Sequence, residues 1–177
     1  MCAAGLGEAG LFSLPVPEDD LTDYSQQLDE GIQLDFPSLP VHMVAAIFKR
    51  FFRFLPEPVI TNFLQPEFLA AADIADSAAR IDRLRALVLG ITDDDSAARI
   101  PEANRSLLKF AVQLLVEVSH YSEVNEMDAQ RLAAIFATLF GRETSALAGQ
   151  SPADVVQKLA LIVQDMIENY SQIFTLL

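Results

Sequence analysis

Apolar residues recur every three or four positions along most of this chain, and this helical period restricts the fold more than any other feature. The clearest case is PEANRSLLKFAVQLLVEVSHYSE, residues 101–123, whose apolar positions share one face of a helix. No stretch combines period-two alternation with β-branched residues between turn signals, the pattern expected of a half-buried strand. We therefore predict an all-α fold, a single-domain bundle of about seven or eight helices of ordinary length.

Proline, glycine and small polar residues predict where these helices begin and end. Ser151-Pro152-Ala153-Asp154 has the serine cap, the first-turn proline and the third-position acid of a helix start. Asp76 and Ser77 are predicted to start one helix, Asn125 is predicted to cap another, and Ser38 is predicted to cap the helix that begins near Val41. Gly141 marks the end of the helix that follows Asn125.

Composition limits the classes of partner. Half of the 177 residues are hydrophobic, which is enough for one sizeable core. The formal net charge is −13, from 25 acidic and 12 basic residues, and it disfavours nucleic acid and anionic membrane surfaces as partners. No apolar run reaches the ~18–20 residues needed to span a bilayer. The acidity suits soluble partners with local basic patches, but charge taken alone is better explained as keeping the domain soluble.

The cysteine and histidine content limits the compartment and the chemistry. Cys2 is the single cysteine, so an internal disulfide framework is excluded and a reducing, cytoplasmic location is expected. The start of the chain lacks the basic residues and long apolar core of a signal peptide. His42 and His120 lie far apart in sequence, and there is no CxxC pair, which disfavours a zinc site.

Sequence motifs for catalysis are also missing. The chain contains no GxGxxG, no GxxxxGK[ST], no HExxH and no GxSxG. Its paired acidic residues fall at predicted helix starts and in loops, where capping and solvation explain them. We therefore expect no cofactor, no metal and no self-contained active site, and we expect that the chain is not itself an enzyme.

One cationic pair stands out, in KRFFRFLPEP, residues 49–58. Lys49 and Arg53 are four residues apart, so a helix places them on one face, about 6 Å from each other. Like charges at this spacing are mildly destabilising, which suggests that something outside the helix requires them. The alternatives are a lysine whose stem lies on apolar surface and an arginine in a surface ion pair. The helix must end at Leu55, because Pro56 follows.

Four stretches follow one another along the chain: GLF at residues 10–12, VHMVAAIFKRFFRFLPEPVI at 41–60, IPEANRSLLKFAVQLLVEVSHYSEVNEMDAQRLAAIF at 100–136, and VVQKLALIVQDMIENYSQIF at 155–174. Together and in this order they resemble the RhoGAP domain, whose members activate Rho-type GTPases. The resemblance implies a short N-terminal arm over residues 1–9 and a divergent RhoGAP-like domain over residues 10–177. Members usually have another helix before the GLF loop, where this chain has about nine residues.

The resemblance implies a partner and a mechanism. RhoGAP domains bind Rho-family small GTPases and insert an arginine finger that stabilises the charge developed during GTP hydrolysis. That arginine directly follows Gly-Leu-Phe in the family, and this chain has Ser13 there, so no catalytic residue is assigned. The positions implied for GTPase binding are Lys49, Arg53, Asn125 and Arg131. At Arg131 the family usually carries asparagine.

We therefore expect a RhoGAP-like signalling domain that binds a Rho-family small GTPase, with weak or no activating effect. One alternative is an active GTPase-activating protein that uses another arginine, and Arg131 is a candidate. Against this role, Asp128 lies three residues before Arg131 and is predicted to form an ordinary helix ion pair with it. The other alternative is a structural module that binds other chains of a larger assembly.

Overall fold

The computed structural model describes residues 5–90, 100–142 and 151–175, so Cys2 lies outside the described residues. In these ranges the chain is all-α, as predicted, with nine α-helices, one 3-10 turn at Phe36–Ser38 and no strand. The helices are α1 (Glu18–Asp29), α2 (Val41–Phe54), α3 (Gln65–Ala72), α4 (Ser77–Leu89), α5 (Glu102–Ser119), α6 (Ser122–Asn125), α7 (Ala129–Phe140), α8 (Pro152–Glu168) and α9 (Tyr170–Phe174).

Helix α7 is the centre of the bundle. It packs against α8, α5 and α2, and its Phe136 and Phe140 are fully buried. Phe52 of α2 meets Phe140 edge-on with 5.3 Å between ring centroids, and Phe12 meets Phe136 at 5.1 Å. These edge-to-face contacts add to the burial of the rings and fix α2 and the segment before α1 onto one core.

Most of the predicted helix ends are confirmed. Asp76 caps α4 by accepting from the Ala79 amide at 2.8 Å, and Ser151 forms a complete capping box with Asp154 at the start of α8. Helix α2 stops at Phe54 because Leu55, which precedes Pro56, adopts an extended ψ of 133°. Gly141 directly follows α7.

Two predicted caps are wrong. Ser38 lies in the 3-10 turn and donates to Asp35, while α2 begins after Pro40, whose fixed φ is compatible with a helix start. Asn125 ends the short helix α6, and α7 is capped instead by Asp128, which accepts from the Arg131 amide at 2.7 Å. The extra helical turn at α6 moves the start of α7 three residues further along the chain.

Helix α2 separates two environments. Phe48 and Phe52 face the main core, whereas Met43, Ala46 and Ile47 pack against α1 in a smaller apolar cluster. Lys49 and Arg53 are on the remaining side, toward solvent and the segment before α1.

In the described ranges, none of the helices has the length and apolar character needed to cross a bilayer. The cytoplasmic location stays a prediction.

Candidate functional site

A tight turn presents Ser13 at the surface. Gly10 and Phe12 both have positive φ, +68° and +72°, and a positive φ is rare for a bulky residue such as Phe12. Leu11 and Phe12 are buried, while Ser13 is exposed. The Gly10 carbonyl accepts from both the amide and the hydroxyl of Ser13, each at 2.9 Å. Hydrogen bonds to the Gly10 carbonyl therefore close the turn, and the buried side chains of Leu11 and Phe12 anchor it to the core.

Lys49 holds this turn from the side of α2. Its ammonium group donates to the backbone carbonyl of Phe12, the residue directly before Ser13. Partial burial, and then the charge of Arg53, lower the pKa of Lys49 below its usual value. A partly desolvated cation beside a second cation is stabilised by any anion that approaches it. This electrostatic arrangement is typical of a binding position.

Arg53 is exposed and has no hydrogen-bond or ion-pair partner among the described residues. It lines a groove of about 310 Å³ between α2 and the segment Leu14–Glu18. Lys49 and Arg50 line the same groove, so three cations from two adjacent turns of α2 face one concavity. The sequence reasoning identified Lys49 and Arg53 and missed Arg50.

Arg50 closes one end of this groove through an ion pair. Its Nη1 lies 2.8 Å from the Glu18 carboxylate at the start of α1, and its guanidinium lies 4.9 Å from the centre of the Phe54 ring. Glu18 is mostly exposed and is the acidic residue that lines the groove. Sequence alone gave no signal for this pair, since 32 residues separate its members.

Asn125 is fully buried behind the turn. Its side-chain nitrogen donates to the carbonyls of Leu6 at 2.8 Å and Val118 at 2.9 Å, and its side-chain oxygen accepts from the Met127 amide at 2.7 Å. Its backbone carbonyl accepts from the Gly10 amide at 2.9 Å. The contacts of Asn125 are thus internal, and they position the chain that leads into the turn.

Arg131 stands at the start of α7 with more than half of its side chain exposed. The predicted ion pair with Asp128 is wrong, because Asp128 accepts from the Arg131 backbone instead. The Arg131 guanidinium bonds Glu126, through its carbonyl at 2.7 Å and its carboxylate at 3.4 Å. Glu126 has a φ of +61°, and its carbonyl is thereby presented to Arg131.

The four predicted binding residues therefore divide into two groups. Lys49 and Asn125 both contact the segment 6–12 and hold the turn, from α2 and from α6. Arg53 lies in the groove beside the turn, and Arg131 bonds Glu126, the residue that follows Asn125. Whether any of them contacts a GTPase stays a prediction.

Comparison with known proteins assigns the chain to one family. The RhoGAP domain model matches residues 1–145, and the chain belongs to the RhoGAP domain family. Human T-cell activation Rho GTPase-activating protein is 29% identical over 176 residues, 98% of this chain and 23% of that protein. Mouse Rho GTPase-activating protein 24 is 35% identical over 135 residues, 75% of this chain and 17% of that protein.

The solved structures agree on the fold. Human Rho GTPase activating protein 15 superposes with a TM-score of 0.86 at 22% identity, over 97% of this chain and 77% of that one. The chain spans less than a quarter of the length of the curated relatives cited above.

One expectation from the sequence is wrong. The chain was expected not to be an enzyme, but the relatives it matches are named GTPase-activating proteins, and stimulating GTP hydrolysis is an enzymatic activity. A search for self-contained catalytic motifs gives no signal for an activity of this kind, because a GTPase-activating protein acts on nucleotide held by its partner.

Proposed function

We propose that this domain binds a Rho-family small GTPase in a signalling role and accelerates its GTP hydrolysis only weakly. The observation that carries the proposal is the turn at residues 10–13. Lys49 and Asn125 hold it in place, yet the side chain it presents is that of Ser13. The RhoGAP-like domain is proposed to span residues 10–177. Leu6, in the N-terminal arm, is buried.

The weak activation follows from the chemistry of phosphoryl transfer. Negative charge spreads over the transferred phosphoryl group in the transition state, and a guanidinium placed there is worth roughly 10³–10⁵ in rate. That factor corresponds to about 4–7 kcal/mol of barrier. A serine hydroxyl carries no charge, and the Ser13 hydroxyl is already bonded to Gly10. The ammonium of Lys49 is likewise engaged with Phe12.

The binding role is supported by local charge. The chain carries −13 overall, yet Lys49, Arg50 and Arg53 line one groove beside the turn. A basic patch on an acidic protein favours docking of an acidic surface in a single orientation and speeds the encounter. Arg53 is the cation of this patch that is open to a partner, since Arg50 pairs with Glu18.

A turnover experiment tests the proposal. Single-turnover GTP hydrolysis and binding are measured for several Rho-family GTPases with the natural chain, with Ser13→Arg and with Ser77→Arg. The last variant adds the same charge at an exposed position on α4. We expect less than tenfold acceleration by the natural chain, a gain of at least a hundredfold with Ser13→Arg, and no gain with Ser77→Arg.

Two results contradict the proposal. Acceleration of a hundredfold or more by the natural chain overturns the weak-activation part, and loss of that acceleration in Arg131→Ala would assign it to Arg131. Absence of binding to every GTPase, with and without a transition-state mimic, overturns the binding part and favours a structural module.

A further inference from the structure

An arginine just beyond α7 holds the end of α2. The carbonyl of Leu55, which follows the last residue of α2, is one of the groups that a helix end leaves without an intrahelical partner. Pro56 and Pro58 have no backbone N–H, so neither can donate to it. The donor is Arg142, whose Nη2 bonds the Leu55 carbonyl and whose Nη1 lies 3.5 Å from the Pro56 carbonyl. Its charge also suits this position, because the C-terminal end of a helix carries a partial negative charge.

The backbone of Arg142 is itself fixed by a buried side chain. Gln65, at the start of α3, is 1% exposed. Its side-chain nitrogen donates to the Arg142 carbonyl at 2.6 Å, and its side-chain oxygen accepts from the Arg142 amide at 2.8 Å. Gly141 permits this close approach, because a Cβ there would lie 2.8 Å from the Leu159 side chain and 3.1 Å from the Gln65 side-chain oxygen. Both polar groups of the Arg142 backbone are therefore held while its guanidinium reaches α2.

A further hydrogen bond joins the same two segments inside the core. The amide of the fully buried Ile60 donates to the Phe140 carbonyl at 2.8 Å. The connection from α2 to α3 is thus bonded to the end of α7 at Leu55, Ile60 and Gln65. Of these contacts, the Arg142 guanidinium is the one at the end of α2. Its loss should release the last turn of α2 while the other contacts keep the core closed.

Arg53 depends on this last turn. It lies two residues before Leu55, it is exposed, and it has no hydrogen-bond or ion-pair partner among the described residues. It lines the cationic groove beside the Ser13 turn, together with Lys49 and Arg50. Since no polar contact in the described chain fixes its side chain, the direction of its guanidinium depends on the backbone of the last turn of α2.

We propose that Arg142 is a positioning residue for partner binding, because it holds the end of α2 and so directs Arg53 into the cationic groove. This proposal rests on the GTPase-binding function proposed above. Arg142 acts through Arg53 and does not itself contact the partner. Without the Arg142 contacts, the last turn of α2 frays and carries Arg53 in many orientations, which binding then has to order again.

Amide hydrogen exchange tests the structural step without a partner. Exchange rates are measured by NMR in the natural chain and in Arg142→Gln, and circular dichroism checks that the variant folds. We expect exchange at least tenfold faster at the amides of residues 51–54 and no more than twofold faster at residues 155–167 of α8. The control is Arg83→Gln, which removes an equal charge from an exposed ion pair between α4 and α3 and should leave both sets of amides unchanged.

A double-mutant cycle tests the step from Arg142 to Arg53. Calorimetry gives the affinity of Rho-family GTPases for the natural chain, Arg142→Gln, Arg53→Gln and the double variant. We expect Arg142→Gln to weaken binding at least fivefold alone, and less than twofold when Arg53 is already replaced. Arg83→Gln should leave the affinity unchanged. Arg142→Lys keeps the charge but loses the forked donor group, so its affinity should follow its exchange rates.

Four results overturn the proposal. Unchanged exchange at residues 51–54 in Arg142→Gln shows that Arg142 does not hold α2, and equally faster exchange in α8 assigns it to general stability. An equal loss of affinity with and without Arg53 shows that Arg142 acts independently of Arg53. Full affinity in Arg142→Lys, with exchange still fast, assigns the effect to charge.

Failure of the proposed function gives a different result. A natural chain that binds no GTPase overturns that function and, with it, the binding step from Arg142 to Arg53. The exchange rates are measured without a partner, so they still decide whether Arg142 holds the end of α2.

Discussion

Lys49 donates a hydrogen bond from its side chain to the backbone carbonyl of Phe12, across 37 residues of sequence. This contact joins the middle of α2 to the turn that presents Ser13. The conformation of the turn and the charge of the groove thus depend on the same side chain. Substitution of Lys49 is expected to change both.

Lys49→Met is expected to weaken GTPase binding tenfold or more, because the turn loses its anchor and the groove loses a cation. Stability is expected to fall by about 1 kcal/mol, the net value of a typical hydrogen bond. Calorimetric titration and urea denaturation measure the two effects. The control is Lys109→Met, which removes an equal charge from an exposed position on α5. Similar binding by both variants contradicts the role assigned to Lys49.

Asn125→Leu is expected to lower the free energy of unfolding by about 3 kcal/mol, because it leaves the Leu6 and Val118 carbonyls and the Met127 amide without their partner. Asn62→Leu is the matched control at an exposed asparagine and should change stability by less than about 0.5 kcal/mol. Urea denaturation at neutral pH compares them. A loss below about 1 kcal/mol for Asn125→Leu is not compatible with three buried hydrogen bonds.

Glu18→Gln is expected to strengthen GTPase binding by about threefold at low salt, because it frees Arg50 and removes the carboxylate from the cationic groove. The gain should appear in the association rate measured by stopped flow, and should shrink at 0.5 M NaCl, where screening is nearly complete. Asp19→Asn removes the next acid of α1, which does not line the groove, and controls for net charge. If the two variants associate equally fast, the Glu18 carboxylate has no specific effect on docking.

Asp154 is expected to make stability depend on pH. The hydroxyl and amide of Ser151 hold the pKa of the Asp154 carboxyl below its usual value. A folded pKa below the unfolded one stabilises the fold at pH values above the unfolded pKa of 3.8, and this contribution is lost as the pH falls through the folded pKa. The difference in urea midpoint between the natural chain and Asp154→Asn should therefore be constant near pH 7 and shrink as the pH falls through the folded pKa. A difference that persists at low pH would exclude Asp154 ionisation as its source.

The fold was largely predictable because its main signals are local. The 3.6-residue period, Asp76, Ser151 and the Pro56 stop each depend on a few neighbouring residues, and the structure confirms the helices they predict. The wrong cap at Asn125 shows the limit of such signals. An asparagine before a helix can equally bond distant carbonyls, and here Leu6 lies 119 residues away.

The candidate site was predictable only in part. Lys49 and Arg53 share a helix face, so the sequence identified them together. Arg50 and Glu18 meet because α1 packs against α2, and no spacing rule connects them. The exposure of Phe51 and Phe110 was also missed, since both fit the helical period of buried residues and their exposure depends on how α2 and α5 pack.

The turn at Gly10–Ser13 keeps its shape largely independently of the side chain at position 13. The Ser13 amide bonds Gly10 whatever the side chain, and Leu11 and Phe12 provide the buried contacts. In a library of single substitutions, position 13 should tolerate almost every residue, while positions 10 and 12 should tolerate few. Under the proposed function, the strength of activation can therefore change at position 13 in one mutational step without a cost in folding. Domains of this architecture can evolve between stronger and weaker regulators while the scaffold is maintained.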